Sequence, residues 1–312
     1  MMKIAVLIPC HNEALTIGKV ILAFQTILPN AQIYVYDNNS TDNTFSIAQS
    51  HGVAVKKEFH KGKGNVVRRM FSDIEADIYV LIDGDDTYDV KKAPELIQKL
   101  IDDDLDMVVG TRVEIANNEK YQAYRFAYRF GHRFGNSFFS NVIAKLFGKK
   151  FTDVFSGYRI FSKRFVKSFP ASSHGFDIET EFTVHSLELQ LPTAEIETPY
   201  GARPEGSVSK LNSYRDGCKI LWRILLLLKE GKPLLFFGML FAVLFTGAVV
   251  LSIPILITYL HTGLVYRIPT AILSTGIMLL ACMCLGCGII LDNVCRSRKE
   301  MKRFFYLLTR KI

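Results

Sequence analysis

The sequence predicts an α/β domain with a mostly parallel sheet, followed by a hairpin of two membrane-spanning helices. In the first 213 residues, short apolar runs alternate with amphipathic helical patterns, which is typical of a parallel sheet covered on both faces. Two later stretches, Leu234–Leu260 and Ile268–Leu291, contain no Asp, Glu, Lys or Arg. The positive charge accompanies them: residues 214–312 carry 13 Lys and Arg against 4 Asp and Glu, whereas residues 1–213 carry 25 against 26.

The elements of the α/β domain follow one another in a regular order. A buried strand is predicted at Lys3–Ile8, and further strands are predicted at Gln32–Tyr36, Val53–Lys57, Ile78–Ile82 and Met107–Val109. The intervening helices are predicted at Ala14–Leu28, from the N-capping pair Thr41-Asp42 onward, at Gly64–Ile74 and at Ala93–Asp103. A further helix is predicted to begin near Asp177.

Polar side chains gather where the predicted strands end. Ligands of open α/β sheets bind beyond the carboxyl ends of the strands, so the segments to inspect are His11–Glu13, Asp37–Ser40 and Asp83–Thr87. If the strand geometry persists, Asp83 and Asp85 point the same way. Two carboxylates there suit a hard divalent cation that bridges phosphate oxygens. A solvated acidic turn is the alternative interpretation.

The two uncharged stretches are long enough to cross a bilayer, since a span needs roughly 20 apolar residues. The short connection at 261–267 makes them a hairpin. Lys and Arg residues follow the second stretch at Arg296, Arg298, Lys299, Lys302, Arg303, Arg310 and Lys311. The positive-inside rule therefore predicts that both chain ends are cytoplasmic. Because the basic residues flank apolar segments instead of spreading over the folded domain, the predicted partner is anionic lipid and not nucleic acid.

These patterns predict four regions. A catalytic domain covers 1–213, an interfacial amphipathic segment 214–232, two transmembrane helices 233–295 (about 234–260 and 268–291), and a basic cytoplasmic tail 296–312. The interfacial segment carries Arg215, Lys219 and Arg223 at a spacing of four, together with Trp222. Met1 leads directly into a strand pattern, so no signal peptide is predicted.

Several motifs occur in order along the predicted domain. They are Ile8-Pro9-Cys10-His11-Asn12-Glu13, Asp37-Asn38-Asn39-Ser40-Thr41-Asp42, Lys61-Gly62-Lys63-Gly64 and Asp83-Gly84-Asp85. In this combination the chain resembles glycosyltransferase family 2, whose fold is the GT-A nucleotide-diphospho-sugar transferase domain. Three later motifs resemble the branch of dolichyl-phosphate mannose synthases and bacterial polyprenyl-phosphate glycosyltransferases: Gly110-Thr111-Arg112, Asp153-Val154-Phe155-Ser156-Gly157-Tyr158-Arg159 and Arg203-Pro204-Glu205-Gly206-Ser207-Val208-Ser209-Lys210. The resemblance covers about 1–213, and the trailing hairpin matches the bacterial members.

The resemblance implies a donor site for a nucleotide-sugar. Its implied residues are Pro9, Asn12, Glu13, Asp37, Lys63, Asp83, Asp85 and Lys210. Asp85 is implied as the principal ligand of a divalent cation, Mg²⁺ or Mn²⁺, with Asp83 on the diphosphate side. The mannose synthases often have a Gln two residues after that ligand, whereas this chain has Thr87, so water replaces the third protein ligand in this prediction.

The resemblance also implies an acceptor site for a polyisoprenyl phosphate. Its implied residues are Arg112, Arg133, Ser156 and Arg203, and Asp85, Asp153 and Arg203 are implied in catalysis. Guanidinium groups suit phosphate because each donates two hydrogen bonds at once. Asp153 either assists the reaction or orients Arg133, and Arg125 or Arg129 could take the place of Arg133. An acceptor phosphate, with a second pKa near ~6, is largely dianionic at neutral pH and needs little help from a base.

Two segments allow two interpretations each. Tyr121–Phe147, rich in aromatic residues and Arg, is either a helix packed on the sheet or an interfacial helix beside the lipid acceptor. The segment His174–Glu181 provides either helix-capping charge, through Asp177, or contacts to sugar hydroxyls.

The implied activity is inverting transfer of a sugar, from a UDP-hexose or UDP-N-acetylhexosamine by preference, to undecaprenyl phosphate. The product would be a lipid-linked monosaccharide for cell-envelope glycans, made at the cytoplasmic face of the inner membrane by an enzyme compatible with homo-oligomeric assembly. One alternative is a processive polysaccharide synthase, but those enzymes carry Gln-x-x-Arg-Trp and more spans, whereas this chain has Trp222-Arg223. Another is a non-catalytic membrane scaffold, which would bind lipid without turning over nucleotide-sugar.

Overall fold

Within the residues that the computed structural model describes (2–114, 151–171, 178–201, 226 and 228–310), seven strands form one mixed sheet. They are β1 (Ile4–Cys10), β2 (Gln32–Asp37), β3 (Ala54–Lys57), β4 (Ile78–Leu81), β5 (Met107–Glu114), β6 (Arg159–Ser162) and β7 (Thr193–Tyr200). Their order in the sheet is β3-β2-β1-β4-β6-β5-β7. Only β6 runs antiparallel to its neighbours β4 and β5; the other pairings are parallel. The predicted mostly parallel sheet is therefore confirmed.

Most helices begin near the predicted places, but the helix at Lys163–Ser168 was not predicted, and the last helix continues to Leu308, beyond the predicted end at Leu291. The helices are α1 (Ile17–Ile27), α2 (Thr44–Ser50), α3 (Lys63–Asp73), α4 (Ala93–Asp102), α5 (Lys163–Ser168), α6 (Ile178–Glu188), α7 (Pro233–Thr262) and α8 (Ile268–Leu308). Thr41-Asp42 was expected to cap α2, but the helix begins at Thr44. The Asp42 carboxylate instead accepts hydrogen bonds from the Thr44 amide and from the Ala14 amide, at 3.0 and 3.1 Å, and so joins two loops.

Helices cover both faces of the sheet. On one face, α1 and α4 pack on aliphatic strand residues, among them Val6, Ile8, Val35, Val80 and Ile160. The other face carries an aromatic cluster of Phe71, Tyr79, Phe161, Phe165, Phe169 and Phe182, with ring centroids of neighbouring pairs 4.7–6.2 Å apart. Because both faces of the sheet are covered by apolar side chains, polar side chains that could bind a ligand are found mainly at the ends of the strands.

The chain divides into two compact units. The α/β unit comprises residues 1–213 and 302–312, and the helical unit comprises residues 214–301. The end of α8 belongs to the α/β unit: Lys302 Nζ lies 2.9 Å from Glu188 Oε2, and the Tyr306 hydroxyl donates to Asp106 Oδ2 at 2.7 Å. The Arg164 guanidinium also lies 3.9 Å from the centre of the Tyr306 ring. The predicted basic tail is thus largely helical, and its last turns pack on the α/β unit.

Helices α7 and α8 are apolar and long enough to cross a membrane, with mean hydropathies of 2.6 and 2.2 over their most apolar windows. Only 6% and 17% of those windows are buried, so most of this apolar surface is not covered by the chain itself. The two helices touch where Gly288 meets Phe237: a Cβ on this glycine would lie 3.0 Å from the Phe237 Cβ. These properties suggest membrane association.

Candidate active site

The loops after β1, β2 and β4 are joined at the carboxyl edge of the sheet. The Asn12 amide donates to Ser40 Oγ at 2.9 Å, and the Thr41 amide donates to Asn12 Oδ1 at 2.8 Å. The Thr16 hydroxyl donates to the Gly84 carbonyl at 2.7 Å. Asn12 has a φ of +56°, a left-handed conformation that asparagine tolerates better than most residues. The three segments that the sequence placed at this edge therefore form one continuous surface.

Asp37 ends β2 and is 1% exposed. Its Oδ2 accepts the Ser40 amide at 3.3 Å, whereas its Oδ1 is buried without a hydrogen-bond partner among the described residues. An unsatisfied buried carboxylate oxygen is costly, and it commonly marks a place where a ligand supplies the missing donor. Pro9, also predicted at the donor site, lies buried in β1 beside Tyr36 of β2.

Asn38 follows Asp37 and links the end of β2 to the loop before α3. The sequence motifs gave Asn38 no role of its own. Its Nδ2 donates to the carbonyls of Glu58 and His60 at 3.0 and 2.8 Å, while its Oδ1 accepts the Gly62 amide at 2.7 Å. These bonds tie the end of β2 to the loop that begins α3. They place Lys63, the first residue of α3, at the site.

Lys63 lies between two carboxylates. Its Nζ is 2.5 Å from Asp83 Oδ1 and 2.5 Å from Glu179 Oε1. Burial alone would lower the pKa of Lys63. The negative charges of Asp83 and Glu179 raise that pKa by more than burial lowers it, so the ammonium stays protonated. Burial also raises the pKa of Glu179, against the effect of Lys63. The cationic partner of Asp83 thus comes from 20 residues upstream in the chain.

The Asp83–Asp85 pair lies in a turn. Since β4 ends at Leu81 and Asp86 has a φ of +56°, the strand geometry on which the sequence argument depended does not persist. Asp85 is buried, and its Oδ1 accepts the Thr87 hydroxyl at 2.6 Å, whereas the Asp83 side chain is 31% exposed.

The fit of this loop to a cation follows from its donor set. No group of three or more His, Cys, Asp or Glu side chains in the described part of the chain is arranged for a metal. The hard oxygen donors that this loop offers are the carboxylates of Asp83 and Asp85, which would leave further positions to phosphate and water. That is how Mg²⁺ is usually held beside phosphates, so the residues fit such an ion.

Arg112 and Asp153 form a bidentate ion pair. Arg112 Nε lies 2.7 Å from Asp153 Oδ2, and Arg112 Nη2 lies 2.8 Å from Asp153 Oδ1. The guanidinium also lies over the Tyr200 ring, 5.5 Å from its centre. Burial opposes the charge of Arg112, but the hydrogen bonds that its guanidinium donates to Asp153 raise its pKa. Asp153 thus orients Arg112 in this structure, and its predicted pairing with Arg133, which lies outside the described residues, stays a prediction.

The loop between Asp153 and β6 is fixed by hydrogen bonds from two buried side chains. The Ser156 hydroxyl is fully buried and donates to the Gly110 carbonyl at 2.6 Å. Arg159, also fully buried, donates to the carbonyls of Ser156 and Val154 at 2.9 and 2.7 Å. Burial lowers the pKa of Arg159 to about 10. Ser156 was predicted to bind phosphate. In the structure its hydroxyl makes a hydrogen bond within the fold, and the phosphate contact stays a prediction.

Some predicted site residues lie outside the described residues, namely Arg133 with its alternatives Arg125 and Arg129, Arg203, Lys210 and Asp177. The segments Tyr121–Phe147 and 214–225 also lie there. Of the remaining donor residues, Glu13 begins the turn into α1, since its carbonyl accepts the Ile17 amide at 2.9 Å.

Comparison with known proteins gives a consistent result. The sequence model of glycosyl transferase family 2 matches residues 5–169. Glycosyltransferase AglJ of Haloferax volcanii is 30% identical over 315 aligned residues, which cover 96% of this chain and 96% of that protein. Dolichol-phosphate mannosyltransferase of Pyrococcus furiosus is 29% identical over 135 residues, covering 40% of this chain and 37% of that protein.

Among solved structures, the chain is similar to glucosyl-3-phosphoglycerate synthase of Mycobacterium tuberculosis. In complex with phosphoglyceric acid, that enzyme aligns with a TM-score of 0.54 at 19% identity, covering 73% of this chain and 79% of the other. Its complex with Mn²⁺, UDP and glucosyl-3-phosphoglycerate aligns with a TM-score of 0.53. At this identity the likeness shows the fold, and the predicted GT-A architecture is confirmed.

Proposed function

The chain belongs to glycosyl transferase family 2, and from this we propose that it transfers a sugar from a nucleotide-sugar to a polyisoprenyl phosphate. The observation that carries the proposal is a buried acidic edge of a GT-A sheet in a chain that also has two long apolar helices. The acidic edge suits a nucleotide diphosphate with a cation. The helices suit an acceptor that resides in a membrane.

The donor side rests on Asp37 and on the loop after β4. The unsatisfied Oδ1 of Asp37 would accept an N–H group of the base. Asp83 and Asp85 would hold a divalent cation against the diphosphate, as the oxygen-only donor set allows. Such an ion is bound in the Mn²⁺ and UDP complex of the M. tuberculosis enzyme. We lean towards a UDP-hexose or UDP-N-acetylhexosamine donor.

The acceptor side rests on Arg112 and on the helical unit. Arg112 is held by Asp153 in one orientation, which lowers the entropic cost of gripping a phosphate. The outward apolar surfaces of α7 and α8 favour a polyisoprenyl chain as the tail of that phosphate. The similar protein of P. furiosus is named for transfer to dolichol phosphate, an acceptor of the same chemical class.

In the proposed reaction, an acceptor phosphate oxygen attacks the anomeric carbon of the sugar as the bond to the nucleotide diphosphate breaks. The leaving diphosphate takes the bonding electron pair, and the anomeric configuration inverts. A bound cation would neutralise the charge that develops on the leaving group, an effect that is stronger in the transition state than in the ground state. Arg112 would position the attacking phosphate; no base is needed, since that phosphate is largely ionised.

The proposed location is the cytoplasmic face of the inner membrane. The proposed product, a sugar linked to polyisoprenyl phosphate, would be used to build cell-envelope glycans. Basic residues after the second apolar stretch support this orientation, because Lys and Arg are enriched in cytoplasmic loops. It also gives the α/β unit access to nucleotide-sugars.

The test is direct. Membranes that contain the wild-type chain are offered a panel of labelled nucleotide-sugars with undecaprenyl phosphate, and the lipid is extracted. Label in a lipid with one phosphate per sugar is expected with one of the donors, and membranes with Asp85→Asn serve as the control. Absence of labelled lipid with every donor, together with normal binding of the lipid, would favour the non-catalytic scaffold.

A further inference from the structure

A buried glutamate stands behind the proposed donor site. Glu179, in the first turn of α6, is 4% exposed, and its carboxylate contacts the Lys63 ammonium that Asp83 also contacts. Resting on the proposed function, we propose that Glu179 is a positioning residue. It serves as a reserve counter-ion for Lys63, so that Asp83 can turn from the ammonium to the cation and diphosphate of the donor.

The first step concerns the cost of a buried ammonium. Lys63 lies within the fold, with a side chain 7% exposed. If Asp83 were its only counter-ion, each donor that engaged Asp83 would leave a buried cation without a partner, which is strongly unfavourable. Glu179 removes that cost, because it keeps an anion 2.5 Å from Nζ whatever Asp83 does.

The two carboxylates differ in a way that assigns these roles. The Asp83 side chain is 31% exposed and faces the site, whereas the Glu179 side chain is 5% exposed. Glu179 Oε2 is buried and has no hydrogen-bond partner among the described residues. It therefore offers the ammonium a second acceptor when Asp83 turns away.

The backbone limits how Asp83 can turn. A Cβ added to Gly157 would lie 2.3 Å from Asp83 Oδ2 and 3.0 Å from Lys63 Nζ. No side chain fits between this backbone and the ion pair. Asp83 is thus confined between Gly157 and Lys63, and its free direction is the solvent-facing one.

The charges of Lys63, Asp83 and Glu179 favour the same roles for the two carboxylates as their positions do. The cluster holds two carboxylates and one ammonium, so its net charge is −1. Neutralising Glu179 would make the cluster neutral and would leave Lys63 bound to Asp83 alone. Both changes weaken the attraction of Asp83 for a divalent cation. At separations of several ångströms, loss of one charge is expected to lower cation affinity roughly 10-fold.

The experiment measures cation binding directly. The full chain in detergent is titrated with Mn²⁺, with free ion followed by electron paramagnetic resonance, in the presence of whichever of UDP or GDP the wild type binds. Glu179→Gln is expected to bind Mn²⁺ roughly 10-fold more weakly. Lys63→Met combined with Glu179→Gln is expected to regain affinity, since Asp83 again carries an unopposed charge. Glu188→Gln, in the same helix but paired with Lys302, is the matched control and should bind as the wild type does.

The outcomes separate this inference from the proposed function. If the wild type binds no Mn²⁺ with either nucleotide, the cation site fails, and the role of Glu179 fails with it. If the wild type and Glu179→Gln bind Mn²⁺ equally, the role of Glu179 alone is overturned. Should Glu179→Gln not fold, as its thermal unfolding would show, Glu179→Asp keeps the charge and is expected to retain affinity. A roughly 10-fold loss of affinity in folded Glu179→Asp, which keeps the charge, would overturn the reserve role.

Discussion

Arg112 and Asp153 meet through two parallel hydrogen bonds, Nε to Oδ2 at 2.7 Å and Nη2 to Oδ1 at 2.8 Å. A third bond, from the Arg112 amide to Asp153 Oδ2, measures 3.3 Å. With its two oxygens engaged in this way, Asp153 is better placed to fix a guanidinium than to take a proton. The distinction can be measured.

Asp153→Asn is expected to raise the KM for polyprenyl phosphate, because Arg112 loses its charged support and with it a fixed orientation. Loss of one charge-assisted hydrogen bond costs ~1.5–3 kcal/mol, so an increase of about 10- to 150-fold is expected. Donor affinity should change little. Steady-state kinetics against the acceptor provide the measurement, with exposed Glu197→Gln as control. A fall in kcat with an unchanged acceptor KM would instead make Asp153 a base.

Asp85→Asn is expected to abolish transfer while the protein stays folded, because the principal cation ligand is lost. EDTA should reproduce the loss, and added Mg²⁺ or Mn²⁺ should reverse it. Asp86→Asn is the neighbouring control: Asp86 pairs with the exposed Lys19, and its substitution should leave turnover intact. Full activity of Asp85→Asn or of the chelated enzyme would contradict the cation site.

Asp37→Asn is expected to weaken donor binding, measured by calorimetry with the nucleotide, by about 10- to 150-fold. The KM for the acceptor should stay unchanged. Thermal stability should not fall, because the substitution removes a buried charge with an unsatisfied oxygen. Asp73→Asn, at the end of α3, is a carboxylate control outside the site. Equal losses of donor and acceptor affinity in Asp37→Asn would contradict a base-side role.

His185 should make stability depend on pH. Burial, with a smaller contribution from Lys302, lowers the pKa of His185 to about 3, whereas an unfolded histidine titrates near ~6.5. The unfolded state therefore binds a proton first, so this stability is present above pH ~6.5 and is lost as pH falls from ~6.5 towards 3, by ~1.4 kcal/mol per unit. His185→Gln should lose less thermal stability than the wild type between about pH 7 and about pH 5. His51→Gln, at a half-buried histidine, is the control, and parallel behaviour of all three would contradict the assignment.

The orientation in the membrane gives a further expectation. A reporter fused after Ile312 should be cytoplasmic, and a tag inserted at 261–267 should be accessible from outside. The reason is the bias of Lys and Arg after the second apolar stretch. Accessibility of the tag to an impermeant label on intact cells is the measurement. The reversed pattern would separate the α/β unit from cytoplasmic nucleotide-sugars.

The first five strands could be located from sequence because each contains a short apolar stretch, although β3 ends in the exposed Lys56 and Lys57. The end of β5 could not, since Gly110–Glu114 is strand only through its pairing with Ile196–Tyr200, far along the chain. Neither β6 nor β7 was predicted. β6 begins with the buried Arg159, and the hydrogen bonds that it donates to loop carbonyls offset the cost of burying its guanidinium. β7 is only partly buried.

For the candidate site, Asp37, Asp83 and Asp85 could be singled out because strand ends converge in a parallel sheet, and Lys63 was added by the family resemblance. The partners could not be predicted. Glu179 meets Lys63 across 116 residues, and Asp153 meets Arg112 across 41. Such pairs depend on how α6 and the loop before β6 pack, and nothing in the local pattern of either segment encodes it.

The bonds from Lys302 and Tyr306 to the α/β unit also set an order of events during synthesis. Both residues lie in the last turns of α8 and leave the ribosome after the apolar stretches of α7 and α8, whereas their partners Glu188 and Asp106 emerge long before. Domains commonly fold from the N-terminus while translation continues. Here the surface around Asp106 and Glu188 stays without these contacts until the last turns of α8 have been synthesised. The α/β unit is therefore completed only after both apolar stretches have been made.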